Sequence, residues 1–364
     1  MFVEIPKGIR IPIGILYQNR AIQWRILAMN VVFVTGATGL LGSSIVRILI
    51  DRNIKVKVLA RSVEKAKKQF YSPLVEIIEG DILNIKGFSS HLKGCDALFH
   101  CAAFFRDNYK GGKHWDELIN TNVKGTEQIL KAAYAVGIRK AVYTSSIATL
   151  CGKKGELINE TMRRPVEGSD NYYKSKILAE EKVKEFLSNH PDMFITIVLP
   201  GWMYGPFDMG PTSSGQLVLD YVAGKMPGIL PASFSVVDAR DVAEHHIASL
   251  EKGRSGEKYL AAGRYMEMKD IFKLLEKSTG VKMPTKRIPL WLLKGIAMGQ
   301  EIYHVFTRKP VLLSYSSVKL IGNEYKRTHF SHEKSAKELG CKFRPLDETF
   351  RDVVTWYKEN NYIS

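Results

Sequence analysis

The sequence predicts an α/β fold, a doubly wound parallel sheet followed by a smaller, mostly helical C-terminal domain. Two observations carry this reading. From Asn30 to about residue 200, apolar runs of strand length alternate with helix-length segments, and repeated strand–helix units imply a parallel sheet with helices on both faces. The first apolar run, 31–34, ends in Thr35 and Gly36 and passes through Gly36, Gly39 and Gly42 straight into a helix.

That helix is expected to run to about residue 51, with strands at 55–60 and 75–80 around a helix at 63–70. A strand at 97–103, a long helix from about 115 to 136, a strand at 140–146, a helix at about 171–189 and a strand at 195–199 follow. Beyond them the sequence predicts a helix over 214–228, a strand over 234–237, and a helix through 250 with Asp241 as its N-cap. A strand at 258–262 and a helix at 268–278 come next. Pro289 then opens an apolar helix over 290–306, interrupted by two glycines, which suits packing in the small domain, the rim of a pocket or a membrane surface. The expected division is a first domain at 30–200, to which 233–254 returns, and a second built from 201–232 and 255–364.

The 364 residues are 45% hydrophobic and 25% charged, which reads as globular and makes disorder a poor account. A net charge of +16 points to anionic partners, yet the cations are scattered and no nucleic-acid module is recognisable, so no nucleic-acid partner is expected. Cys95, Cys101, Cys151 and Cys341 have no metal-ligand or CxxC spacing, which suggests free thiols in a reducing cytoplasm. Residues 1–29 read as an extension, disordered or foreign to a chain that starts at Met29, or else as a peripheral arm. Their apolar patch at 11–17 is too short to span a bilayer.

Glycines spaced three apart allow a tight turn, let the backbone approach a pyrophosphate and let the new helix pack on its strand. The free N–H groups at the helix start, with its dipole, favour a bound diphosphate. With a strand before and a helix after, Gly36, Gly39 and Gly42 meet the context of a Rossmann-type dinucleotide site. The alternative is a tight connection that binds nothing. At the end of the second strand of this unit stands Arg61, about twenty residues past the glycines, where an acid ordinarily holds the ribose 2′-hydroxyl of NAD. A cation suits the 2′-phosphate of NADP, so NADP(H) is expected over NAD(H), with Lys65, Lys67 and Lys68 either assisting or forming a solvated face. Asp81 could accept from an adenine amine or cap a turn, and the small residues of His100-Cys-Ala-Ala103 leave room for a flat cofactor or for a helix.

The chemistry is expected from Tyr172-Tyr-Lys-Ser-Lys176. Tyr172 and Lys176 share one helix face, and an ammonium beside a phenol favours the phenolate, which suits a general acid or base. Ser146, at the end of the strand before, could hold a substrate oxygen; Thr144-Ser-Ser146 could equally be strand-end residues bonded to backbone. Phe104, Phe105, Trp202, Met203, Tyr204 and Phe207 fall in loops at the carboxyl edge of the sheet, which suggests a hydrophobic or aromatic small-molecule substrate.

From residue 31 to about 357 the chain resembles the extended short-chain dehydrogenase/reductases, especially dihydroflavonol-reductase-like and bacterial epimerase/dehydratase-like members. The shared motifs are TGATGLLG at 35–42, GD at 80–81, HCAA at 100–103, NVKGT at 122–126 and YTSS at 143–146. YYKSK at 172–176, LPGWMYGP at 199–206 and VVDARDVA at 236–243 complete them. The resemblance implies that Tyr172 is the acid/base, that Lys176 lowers its pKa and binds the nicotinamide ribose, and that Ser146 orients the substrate oxygen. It implies cofactor contacts from Thr38, Leu40 and Leu41 beside the three glycines, from Asp81 and Ile82 at the adenine, and from Cys101, Ala102 and Ala103. Asn122 and Thr144, and Pro200 with Gly201 beside the nicotinamide, belong to the same implied set.

Two departures narrow the substrate. Plant dihydroflavonol reductases carry a substrate-contacting Asn five residues after the serine, where this chain has Cys151, which argues against a flavonoid. Sugar-nucleotide dehydratases have Thr-Asp-Glu where this chain reads Ser145-Ser-Ile-Ala148, and no acid stands there to protonate a leaving hydroxyl. The expectation is an NADP(H)-dependent oxidoreductase acting on a ketone or secondary alcohol. A nucleotide-sugar epimerase and a non-catalytic cofactor-binding regulator are the alternatives; weak membrane-surface contact and a homodimer stay open as partners.

Overall fold

The computed structural model describes residues 2–5, 9–12, 29–105, 114–307 and 315–363. Within the leader, β1 (Phe2–Ile5) and β2 (Ile9–Pro12) pair as an antiparallel hairpin. The first half of the main body then runs β3 (Val31–Thr35), α1 (Leu40–Asp51), β4 (Lys55–Ala60), α2 (Val63–Gln69), β5 (Val75–Glu79) and β6 (Ala97–His100). Next come α3 (Trp115–Leu118), a π-helical turn (Ile119–Lys124), α4 (Gly125–Ala135), β7 (Lys140–Thr144), α5 (Asn171–Asn189) and β8 (Phe194–Pro200).

The rest comprises β9 (Trp202–Tyr204), α6 (Ser213–Val222), β10 (Ser233–Asp238), α7 (Ala239–Lys252), β11 (Lys258–Ala261), β12 (Arg264–Glu267) and α8 (Met268–Thr279). Four further helices close the chain: α9 (Leu290–Thr307), α10 (Tyr315–Glu324), α11 (Glu333–Leu339) and α12 (Leu346–Glu359). Among the described residues no helix is long and apolar enough to cross a membrane.

Seven strands form one parallel sheet in the order β11-β8-β7-β6-β3-β4-β5, the doubly wound arrangement expected from the alternating pattern. Its inner strands are largely apolar because both faces are covered, while the edge strand β5 exposes Glu76 and Glu79. Val32 and Val34 point into one core cluster with Val56, Val58 and α1, while Phe33 points into the other with Leu98, Ile195 and Ile197. The crossovers diverge between β3 and β6, so the crevice for a ligand lies at the carboxyl ends of those two strands.

Several expected elements differ in extent. The apolar run at 97–103 leaves the ladder after His100, and the run at 140–146 leaves it after Thr144, so the residues expected to face a ligand sit beyond the last paired position. Helix 214–228 stops at Val222, with Gly224 in the left-handed region at φ +67°. Asp241 is not an N-cap. Asp238 accepts from the Arg240 N–H at 2.8 Å and starts the helix three residues earlier, while Asp241 is buried in the first turn and holds the Arg344 guanidinium at 2.7 Å.

The second half also has two strands that local pattern did not disclose, β9 and β12, whereas β10 falls on the strand expected at 234–237. β9, β10 and β12 make a small sheet, with β9 parallel and β12 antiparallel to β10. Trp202 therefore stacks on Phe234 with ring centroids 4.0 Å apart, and Tyr204 is buried against Phe350. Phe207 lies under the Arg47 guanidinium at 3.7 Å. These aromatics, with partly buried Met203 packed against the main-sheet core, are structural packing rather than a loop lining for substrate.

Candidate active site

The glycine corner is shaped by close backbone approach. Gly36 has φ +68°, and a Cβ there would stand 2.7 Å from the Ala102 nitrogen and the Cys101 carbonyl carbon. A Cβ on Gly42 would stand 2.2 Å from the Gly36 carbonyl oxygen. Gly39 is the N-cap of α1 and has no side chain to satisfy the first-turn N–H groups. A corner with no room for side chains, ending in an uncapped helix start, fits a diphosphate bridged by backbone donors. Gly42→Ala is expected to destabilise the fold by about 1–3 kcal/mol, because backbone must move, and to weaken binding of a nicotinamide dinucleotide about tenfold or more. Thermal melts and fluorescence titration check both.

Thr35 anchors the corner through a directed chain of hydrogen bonds. The Thr126 hydroxyl gives its proton to the Asn122 carbonyl at 2.6 Å, so it must accept from His100 Nε2 at 3.0 Å. His100 Nδ1 then accepts from the Thr35 hydroxyl at 2.7 Å, and the Thr35 oxygen accepts the Ala102 N–H at 3.3 Å. Burial, helped by the nearby Lys176 charge, pushes the His100 pKa down to about 3, so the ring stays neutral and the chain keeps one direction. Asn122 fixes the loop after β6: its Oδ1 accepts from the Phe104 N–H at 2.7 Å. Its Nδ2 donates to the Phe104 carbonyl and to Ser175 on α5. The sequence offered His100 only as part of a small-residue motif and did not disclose this relay.

Asp170 caps α5 by accepting the Tyr172 N–H at 2.9 Å, so the helix presents Tyr172 in its first turn, with Lys176 one turn deeper. Ser146 approaches the Tyr172 phenol closely enough to hold its pKa down, and the Phe105 ring meets it edge-on at 4.8 Å. Burial is the largest influence on that phenol and raises its pKa to about 12, opposed by Ser146. Tyr172 is therefore protonated throughout the neutral range, a proton donor rather than a phenolate.

Lys176 is buried, and its ammonium donates to the Thr144 carbonyl at 2.8 Å. Burial lowers its pKa to about 8, while the Glu180 carboxylate and the Cys101 thiol pull it back up. Tyr172 gives up its proton only near pH 12, whereas Lys176 loses its charge above about pH 8, so the first alkaline change belongs to the lysine. kcat/KM is expected to fall through an alkaline limb near pH 8, to be read from a pH profile of the free enzyme.

Of the other expected site residues, Cys101 and Thr144 are brought together beside Lys176. The Thr144 hydroxyl lies 3.3 Å from the Cys101 sulfur and 2.8 Å from His246 Nε2. The Thr144 side chain thus faces α7, and its carbonyl faces the lysine. Ala102 and Ala103 continue past the glycine corner, Ala103 exposed. Arg61 is exposed directly after β4, and Ser62 caps α2 beside it. Lys68 is paired with Glu64 at 2.7 Å on the solvent face, while the Lys65 ammonium approaches the Gly210 position. Asp81 caps a turn by accepting the Leu83 N–H at 2.9 Å, and Ile82 is buried against Gly125. Pro200 ends β8. Gly201 is required by packing: a Cβ would stand 2.3 Å from the Ala262 carbonyl and 2.5 Å from that of Ser235.

Glu180, one turn beyond Lys176, was not singled out in the sequence, although the Tyr172, Lys176, Glu180 spacing of four marks one helix face. It is buried. It accepts from the Ser145 and Thr149 hydroxyls at 2.6 and 2.8 Å and is ion-paired with the buried Lys258 ammonium from β11.

Comparison with known proteins agrees with this architecture. The model of the NAD dependent epimerase/dehydratase family matches residues 32–262. The chain belongs to that family. It is 32% identical to sterol demethylase protein B of Methylococcus capsulatus over 335 residues, 91% of this chain and 99% of that protein. It is 28% identical to a 4-hydroxy-2-methyl-3-oxo-4-farnesyl-3,4-dihydroquinoline-1-oxide ketoreductase of Stigmatella aurantiaca, over 88% of this chain and 95% of that one. The solved structure of gox2253 superposes with a TM-score of 0.78 at 29% identity, covering 92% of this chain and 100% of that chain. The protein is an NAD(P)-dependent enzyme of the short-chain dehydrogenase/reductase type.

Proposed function

We propose that this enzyme is an NADP(H)-dependent oxidoreductase that interconverts a ketone and a secondary alcohol on an apolar or aromatic small molecule. The observation that carries the reading is the Tyr172 phenol, kept protonated by burial, beside Ser146 and bordered by the Phe105 ring at the carboxyl edge of the sheet. Tyr172 donates its proton to the carbonyl oxygen in the reducing direction, and Ser146 holds that oxygen in place. Lys176, one helical turn on from Tyr172, contributes a positive charge to the site and is positioned by the Thr144 carbonyl. The bound nicotinamide supplies or accepts the hydride.

The apolar character of the substrate is supported by Phe105, which is 47% exposed at the Tyr172 ring. It is also in keeping with the farnesylated compound in the name of the Stigmatella ketoreductase. Exposed Arg61 supports NADP(H), since a free guanidinium after the second strand of the unit suits a 2′-phosphate. Unpaired Cys95, Cys101, Cys151 and Cys341 suit a reducing cytoplasm.

Following NADPH absorbance with apolar ketones tests the reading. Net oxidation with an apolar ketone supports it; isomerisation of a nucleotide sugar without net oxidation replaces it with an epimerase, and tight binding without turnover with a regulator. Arg61→Asp is expected to reverse the preference for NADPH over NADH, changing the ratio of the two dissociation constants by about tenfold or more. An unchanged ratio would remove Arg61 as the selector.

A further inference from the structure

Four of the ten large apolar side chains exposed among the described residues lie on less than three turns of one helix, α9: Trp291 (73%), Leu292, Ile296 and Met298 (53%). Leu293 and Ala297, on the opposite side, are buried against Val318 of α10 and against Leu230 and Ile288. One face of α9 is thus held by the protein, and the other is turned outward. Gly295 and Gly299 belong to the outward face, and a Cβ at either would meet nothing within 4 Å. Among the described residues nothing covers that face.

Charge indicates what covers it. Residues 281–299 contain Lys282, Lys286, Arg287 and Lys294 and no acid. Lys282, Lys286 and Arg287 are exposed on the segment leading into α9. That segment is pinned, since the Ile229 N–H donates to the Lys286 carbonyl at 2.8 Å and the Ile288 N–H to the Ile229 carbonyl at 3.0 Å. An apolar stripe with a tryptophan, rimmed by fixed cations, complements a surface whose outer layer is anionic and whose inner layer is hydrocarbon. A second copy of the chain complements it poorly. A two-fold contact through this face would gather the same cations from both copies, each of net charge +16.

We propose that the outward face of α9 docks the enzyme on an anionic lipid bilayer. The helix lies in the interface plane, with Trp291, Ile296 and Met298 among the upper acyl carbons and Lys282, Lys286 and Arg287 at the headgroups. Docking of this kind is peripheral and reversible, and it goes beyond the proposed reaction because it holds whichever carbonyl is reduced.

The test is co-sedimentation of the full chain with vesicles of phosphatidylcholine alone or mixed equally with phosphatidylglycerol. Wild type is expected in the pellet with the mixed vesicles, less so as salt rises, and with a blue shift of tryptophan emission. The double variant Trp291→Glu, Ile296→Glu changes only exposed positions, so its melting temperature should hold while its partition falls about tenfold or more. Lys286→Gln with Arg287→Gln should weaken binding to mixed vesicles alone. Equal partition of wild type and the double variant, or no wild-type binding to mixed vesicles, overturns the proposal. So does a wild-type dimer in gel filtration that the double variant dissolves without loss of vesicle binding.

Discussion

Tyr172→Phe is expected to lower kcat by about a hundred- to ten-thousandfold while NADPH still binds. The substitution removes one oxygen and keeps the ring, so the edge-on contact with Phe105 and the cap from Asp170 to the helix backbone survive. What is lost is the proton of a phenol that lies beside Ser146 and is held neutral by burial. Because the phenol at about pH 12 and the lysine at about pH 8 titrate far apart, the two roles separate in one experiment. In the wild type the alkaline limb reports Lys176, and in Tyr172→Phe the residual rate should keep that limb at a much lower plateau. Single-turnover rates across pH, with fluorescence titration of NADPH, check this; a variant retaining most of its activity would dismiss Tyr172 as the donor.

The second large effect is expected at Glu180. Removing its carboxylate in Glu180→Ala leaves the Lys258 ammonium buried without its partner and the Ser145 and Thr149 hydroxyls without their acceptor. Breaking one side of a buried ion pair costs about 3–5 kcal/mol, a large share of a domain's stability, and denaturant unfolding should show it. Glu180→Leu combined with Lys258→Met should recover much of the loss, since neither charge is then buried.

The same double variant isolates a second role. Glu180 raises the pKa of Lys176 against burial, so without it the lysine should lose its proton below pH 8 and the alkaline limb of kcat/KM should move to lower pH. Stability restored with the limb still shifted would establish Glu180 as a positioning residue for Lys176. Stability and limb restored together would reduce it to a fold element.

Much of the site was legible because its signals are local. Glycine spacing, the four-residue step from Tyr172 to Lys176 and the position of Arg61 after a strand all follow from backbone geometry over one or two turns. The relay through Thr35, His100 and Thr126 was not legible, since it joins residues 26 and 65 positions apart through hydroxyl rotors. Glu180 carried a readable spacing, but its partner Lys258 is 78 positions away and lies next to it only because β11 pairs with β8. The aromatic residues after β8 misled for the same reason: Trp202 and Tyr204 belong to a strand whose partner, Val236–Asp238, lies more than thirty residues on.

The sequence by itself determined the doubly wound sheet, the nucleotide corner and the helix bearing the phenol and the amine, because periodicity and turn chemistry act between near neighbours. Only the tertiary structure decided that burial pushes the phenol's pKa up, that Asp241 holds Arg344 instead of capping a helix, that Gly201 answers to packing and that one face of α9 is left bare among the described residues. Each of those depends on which distant groups exclude water or approach within contact distance, and burial of that kind exists only once the chain has closed upon itself.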